Sequence, residues 1–137
     1  MKTTIKSLSL ILAVSLGVTM SSCEKEETPP TPSPVIDLHE LGENNNHMAD
    51  LGDELHIDAD IVAQGRIAKV IVELHNEDIP SEEVMEEFTD LAGQLNGTFH
   101  DHIMVPANFT AGDYHFDMTV VDQEGRSTAI EREVEVN

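Results

Sequence analysis

From Val35 onward, apolar residues recur mainly at every second position, the period of a strand with one buried face. Val35-Ile36-Asp37-Leu38-His39 sets Ile36 and Leu38 on one side. Leu55-His56-Ile57-Asp58-Ala59-Asp60-Ile61 alternates without a break between Gly52-Asp53-Glu54 and Gly65. The segment 67–75 aligns Val70, Val72 and Leu74; 99–105 aligns Phe99, Ile103 and Val105; 114–120 follows. Asp122-Gln123-Glu124-Gly125 then reads as a turn into a last strand over 128–136. Strands and turn signals in this rhythm predict an all-β domain, an immunoglobulin-like sandwich of two antiparallel sheets. Between Asn76 and Gln94 the rhythm changes. The spacing of Val84, Met85 and Phe88 behind Ser81 predicts a short helix in the 79–90 connection, with Ser81 as its cap. A strongly acidic loop is the other reading of that stretch.

The first 34 residues carry a different pattern. Met1 to Lys6 is short and basic, and an apolar run from Leu8 to Val18 follows. That run is the length of a secretory leader and shorter than the roughly 20 residues that span a bilayer. Met20-Ser21-Ser22-Cys23 resembles a bacterial lipobox, which implies cleavage after residue 22 and lipid on Cys23. An ordinary secretory signal with an incidental cysteine is the alternative. Glu24-Lys25-Glu26-Glu27 resembles the signal that sends some lipoproteins to the outer face of the outer membrane; a solvated linker has the same composition. Four prolines between Thr28 and Pro34 predict an extended spacer of about 3.1 Å per residue. The organisation expected is therefore a leader at 1–22, an anchor and tether at 23–34, and one folded domain at 35–137.

Charge sharpens this picture. The 137 residues hold 27 acids and 7 bases, and no acid precedes Glu24 while Lys2 and Lys6 do. Without the leader, all 27 acids face 5 of the 7 bases, a formal charge of −22. Such a surface repels nucleic-acid phosphates and anionic headgroups, and favours cations. One cysteine excludes an intrachain disulfide and any CxxC site.

Three segments carry a resemblance to a known group. Gly112-Asp113-Tyr114-His115-Phe116 with Val120-Val121-Asp122-Gln123-Glu124-Gly125 is similar to the last hairpin of bacterial immunoglobulin-like or cadherin-like domains. With Leu55-His56-Ile57-Asp58-Ala59 and Thr98-Phe99-His100-Asp101-His102-Ile103, it resembles an uncharacterised family of short bacterial lipoproteins with a single such domain. The resemblance implies a fold and a place in the cell envelope, and no activity. Relatives with a histidine-rich insert after the third strand differ from this chain, which is acidic from Glu77 to Asp90.

The candidate chemistry lies in seven histidines. Strand parity turns His56, Asp58 and Asp60 outward on the second strand, His100 and His102 outward on the fourth, and Asp37 and His39 outward on the first. Immunoglobulin-like topology makes the second and fourth strands antiparallel neighbours, which brings His56 toward His102. Cross-strand partners stand about 4.5–5.5 Å apart at Cβ. Imidazoles at that spacing, with Asp58 or Asp101 beside them, can share one zinc or copper ion. His75 and His115 repeat the arrangement on the other sheet, with Glu73 and Asp117 on the same faces. A pH-sensitive surface is a second use of the same residues, and solvated polar positions are the plainest. Asp58, Asp60 and Asp122 offer calcium as a competing metal, although calcium needs six to eight converging oxygens.

No GxSxG, HExxH or phosphate-binding glycine loop occurs, and 4% aromatic residues supply no stacking platform. The expectation is a non-enzymatic, lipid-anchored binding or accessory module of the envelope, outer-membrane and surface exposed. It would capture a divalent transition metal and pass it to a transporter or another envelope protein. A metal-free protein-interaction or structural module is the alternative.

Overall fold

The computed structural model describes residues 29–137. The expected leader, Cys23 and the charged run at 24–27 lie outside the described residues. Residues 29–34 take no regular structure, and eight strands follow. They are β1 (Val35–Leu41), β2 (Met48–Ala49), β3 (Glu54–Val62), β4 (Ile67–His75), β5 (Glu83–Phe88), β6 (Asn96–Met104), β7 (Gly112–Asp122) and β8 (Ser127–Val136). One turn of 3₁₀ helix, Glu43–Asn45, interrupts them. Among the described residues no helix is long and apolar enough to cross a membrane.

The strands form an all-β sandwich, with sheets ordered β1-β3-β6 and β2-β8-β7-β4-β5. All pairings are antiparallel except β2 with β8, which run parallel. This arrangement is compatible with an immunoglobulin-like sandwich. Parity along each strand builds the core. Leu55, Ile57, Ala59 and Ile61 from β3 are buried against Val70, Val72 and Leu74 from β4 and Tyr114, Phe116, Met118 and Val120 from β7. Each large side chain removed from water in this way contributes about 1.5–3 kcal/mol.

The segment 83–88 corrects the expected helix. It is an edge strand, with Val84, Glu86 and Phe88 opposite Leu74, Val72 and Val70. Val84, Glu86 and Phe88 repeat at period two as well as Val84 and Phe88 repeat at i, i+4, and a helix this short is marginal in water. The open edge of β4 supplies a ladder of backbone hydrogen bonds that decides the contest. Ser81 caps nothing here. Asn76 organises the turn instead, its Oδ1 accepting from the N–H of Asp78 at 2.9 Å and of Ile79 at 3.1 Å. Glu82 then ties the turn to β7: its carboxylate accepts from Tyr114 Oη, and from Thr110 Oγ1 at 2.8 Å. The Tyr114 hydroxyl also approaches the Thr110 carbonyl at 2.9 Å, a corner of the kind found in immunoglobulin-like sandwiches. Donation from Tyr114 holds Glu82 below the usual carboxylate range, and burial followed by that same carboxylate pushes the phenol up.

Two departures from simple alternation shape one end of the molecule. A bulge in β1 between Leu38 and Glu40 adds a residue and brings Glu40 opposite Asp58. Beyond Leu41 the chain leaves the three-stranded sheet at Gly42, whose φ of +73° belongs to the left-handed region. A Cβ there would stand 2.4 Å from Asn46 Oδ1 and 2.7 Å from Met48 O, so only glycine fits the crossing that delivers Met48 to β2.

Candidate functional site

The outer face of the β1-β3-β6 sheet gathers His39, His56, Asp58, Asp60, His100 and His102, all singled out above. In the β3–β6 register His56 stands opposite His102, and Asp58 opposite His100. Parity turns all four outward, because Leu55, Ile57, Phe99 and Ile103 take the inward positions. His56 Nδ1 lies 3.1 Å from His102 Nε2, within a hydrogen bond between two imidazoles. The rings of His56 and His100 have centroids 4.8 Å apart, those of His56 and His102 4.9 Å, and those of His100 and His102 6.0 Å. His56 is the hub, with a side chain only 19% exposed against 60% for His100.

Carboxylates surround this cluster. His100 Nδ1–H donates to Asp58 Oδ2 at 2.9 Å. Glu40 Oε2 is 3.8 Å from His56 Nε2, placed there by the β1 bulge. Farther along the face His39 Nε2 donates to Asp60 Oδ2 at 3.0 Å, and Thr98 Oγ1 donates to Asp60 Oδ1 at 2.7 Å. The Thr98 hydroxyl and then His39 draw Asp60 down from the ordinary carboxylate value, while Asp60 raises His39. Asp101 does not join the cluster. It occupies the opposite side of β6, opposite buried Ile57, and its Oδ1 accepts the N–H of His102 at 2.9 Å.

A cleft of 460 Å³ opens beside the His56–His102 pair. Met48, Asp50, Asp53 and Glu54 line it together with both imidazoles. Glu40 and Met48 were not foreseen. The adjacent polar residues His39 and Glu40 are the only mark of the bulge in the sequence, and nothing in 43–50 has a strand period.

His75 and His115 also stand opposite each other, in the β4–β7 register. Their rings stack at 5.6 Å with an 18° tilt. Each faces carboxylate instead of imidazole nitrogen. His75 Nδ1 is 3.2 Å from Glu73 Oε1 and 3.6 Å from Asp117 Oδ2, aligned as a hydrogen bond with neither. His115 Nδ1–H donates to Glu131 Oε1 at 3.0 Å, and its Nε2 is 3.5 Å from Glu77. The Glu131 hydrogen bond raises the His115 pKa above 6.5.

Among the described residues no three His, Cys, Asp or Glu side chains converge in a geometry ready to hold a metal ion. The calcium reading fails on placement. Asp58 and Asp60 lie on the three-stranded sheet, whereas Asp122 is buried in the β7–β8 turn. There the backbone N–H groups of Glu124 and Arg126, and Arg126 Nε, saturate it at 2.8–2.9 Å.

The molecule is thus a two-sheet β-sandwich module with clustered imidazoles on the outer face of its smaller sheet. The chain belongs to the family described as "Domain of unknown function (DUF4625)", whose model matches residues 21–137. No protein among those of curated function matches it. Among solved structures it is similar to the sporulation control protein Spo0M from Bacillus subtilis, with a TM-score of 0.52 and 13% identity over 77% of this chain. It spans 50% of that protein. It is also similar to a Niemann-Pick type C2 protein from Japanese carpenter ant, with a TM-score of 0.51 and 7% identity over 81% of this chain and 98% of that one. A superoxide reductase (neelaredoxin) from Ignicoccus hospitalis overlays with a TM-score of 0.49 and 12% identity, over 78% of this chain and 82% of that one. These are likenesses of chain path between differing proteins, and they assign no activity.

Proposed function

We propose that this chain is a binding module of the bacterial cell envelope that captures one transition-metal ion at His56 and His102, with His100 as the adjoining donor. In this reading lipid on Cys23 anchors it to the outer membrane, the proline-rich tether holds the domain off the surface, and a transporter or envelope protein receives the ion. The single observation that carries the metal reading is the 3.1 Å approach of His56 Nδ1 to His102 Nε2. Two ligands of a tetrahedral ion with bonds of about 2.0–2.1 Å stand roughly 3.3 Å apart. A small turn of the two rings, His102 exposed and His56 half-buried, therefore aims two lone pairs at one ion with the backbone unmoved. Asp58 orients His100 as carboxylates orient metal-bound imidazoles elsewhere, and the acidic surface raises the local concentration of cations. The module performs no catalysis in this reading.

A second reading is favoured by the lack of a third converging ligand among the described residues. In it the same face is a metal-free protein-interaction or structural surface. Titration of zinc and copper into purified, tag-free protein separates the two. The metal reading expects tight binding that His56→Ala/His102→Ala weakens by more than about 100-fold, since even outer partners of metal ligands are worth roughly 10–100-fold. Weak binding of equal strength in both proteins would establish the metal-free reading.

A further inference from the structure

Methionine is ordinarily a core residue, yet Met48 is 38% exposed and Met104 49% exposed, as is Met85 of β5 on the other sheet at 58%. Met104 follows His102 by two residues on the same outward face of β6, opposite Glu54. It stands about 6.7 Å along the strand, within reach of an unbranched side chain with three rotatable bonds. Met48 comes from the other sheet and lines the 460 Å³ cleft with His56 and His102. Its position is built: Gly42 turns the chain, Met48 N–H donates to Asn46 Oδ1 at 3.0 Å, and pairing with Glu135 fixes β2 to β8. One thioether thus lines the cleft with the two imidazoles, and a second lies on the same face of β6 beyond His102.

The donor types discriminate between metals. Zinc prefers four ligands, and its usual nitrogen, thiolate and carboxylate donors do not converge as a set here. Thioether sulfur is a soft, neutral donor that adds little to zinc and selects cuprous copper, while imidazole serves copper in either oxidation state. Cuprous copper also accepts low coordination numbers, so an imidazole pair completed by sulfur is sufficient. The carboxylates around the cleft attract any cation and decide nothing; the methionines decide. Resting on the metal reading above, we propose that this cleft is a copper site, holding Cu(II) through His56 and His102 and Cu(I) through the same imidazoles together with the sulfur of Met48, with Met104 two residues beyond His102 on the same face as the next thioether within reach.

The test uses purified protein with Cu(I) under anaerobic conditions, in competition with a colorimetric Cu(I) chelator, and with Cu(II) and Zn(II) in parallel. Met48→Leu/Met104→Leu keeps the volume and apolar character of both exposed side chains, and far-UV dichroism checks the fold. The expected result is a loss of at least about tenfold in Cu(I) affinity, about 1.4 kcal/mol, with Cu(II) affinity unchanged. X-ray absorption of the cuprous protein should show sulfur scattering that disappears in the variant. Unchanged Cu(I) affinity in the methionine variant, with copper still lost in His56→Ala/His102→Ala, overturns the copper assignment and leaves the imidazole site standing. Failure of the unsubstituted protein to bind either copper ion, or equal binding after removal of both histidines, overturns the underlying metal reading itself.

Discussion

The two sheets present the same motif, a histidine directly opposite a histidine on the outer face, and put it to different use. On the β1-β3-β6 sheet, His56 and His102 turn nitrogen toward nitrogen, because Asp58 is engaged by His100 and Asp60 by His39 and Thr98. On the larger sheet, Glu131 takes the His115 Nδ1–H and Glu77 lies 3.5 Å from its Nε2, while His75 stacks on that ring with Glu73 and Asp117 at 3.2 and 3.6 Å and bonded to neither. Cross-strand register brings imidazoles together; the carboxylates still uncommitted around them set whether a lone pair remains for a metal or a proton is held for an acid. On the metal reading proposed above, the smaller sheet's pair keeps nitrogens for an ion because Asp58 and Asp60 are engaged elsewhere, and Glu40, 3.8 Å from His56 Nε2, is the acid that approaches it.

The largest expected effect tests this contrast directly. His56→Ala/His102→Ala should reduce metal affinity by more than about 100-fold. His75→Ala/His115→Ala should leave it within the roughly 0.3–0.5 kcal/mol by which distant sites behave independently. Isothermal titration of both double variants measures the two numbers, and equal losses would erase the distinction between the faces. Next in size is Asp58→Asn. It removes the acceptor that holds the His100 tautomer, and a loss of about tenfold is expected, as for other outer partners of metal ligands. No loss would exclude His100 from the site.

A smaller effect lies in the pH dependence of the larger sheet. The folded-state pKa of His115 is raised, first by Glu131 and then by Glu77 and Glu133, with His75, Glu73 and Asp117 beside it. Folding thus favours the protonated ring. Its contribution is complete below the unfolded value of 6.5 and is lost as pH rises through the raised folded value. Glu131→Gln should flatten that slope in urea unfolding measured across neutral pH. The smallest change is spectroscopic: in the same variant the His115 ring titration, followed by NMR, should move down toward 6.5. A titration that stays put would assign the shift to the other carboxylates.

Much of this was legible in the chain. Alternation alone placed His56, His100 and His102 outward, and the antiparallel order of the sandwich implied both cross-strand pairs. What escaped was set by tertiary partners. Val84-Met85-Glu86-Glu87-Phe88 satisfies a helical and a strand spacing equally, and the free edge of β4 decides between them. Glu40 reaches His56 only through a one-residue bulge, which alternation cannot foretell. Met48 comes to the cleft through a glycine-dependent crossing between sheets. The division between donor pair and ion-pair network depends on which carboxylates each register delivers, and spacing within a single strand carries no record of that.

The direction of β1 has a consequence for where the cleft points. Its first residue, Val35, pairs with Val62 at one pole of the sandwich, and its last, Leu41, pairs with Ile57 at the other, next to His56. Seven residues of strand, about 20 Å, therefore separate the point where residues 29–34 join β1 from the histidine cluster. On a chain held at its amino end, as proposed above, the His56 and His102 imidazoles and Met48 would lie at the pole of the domain remote from the point of attachment.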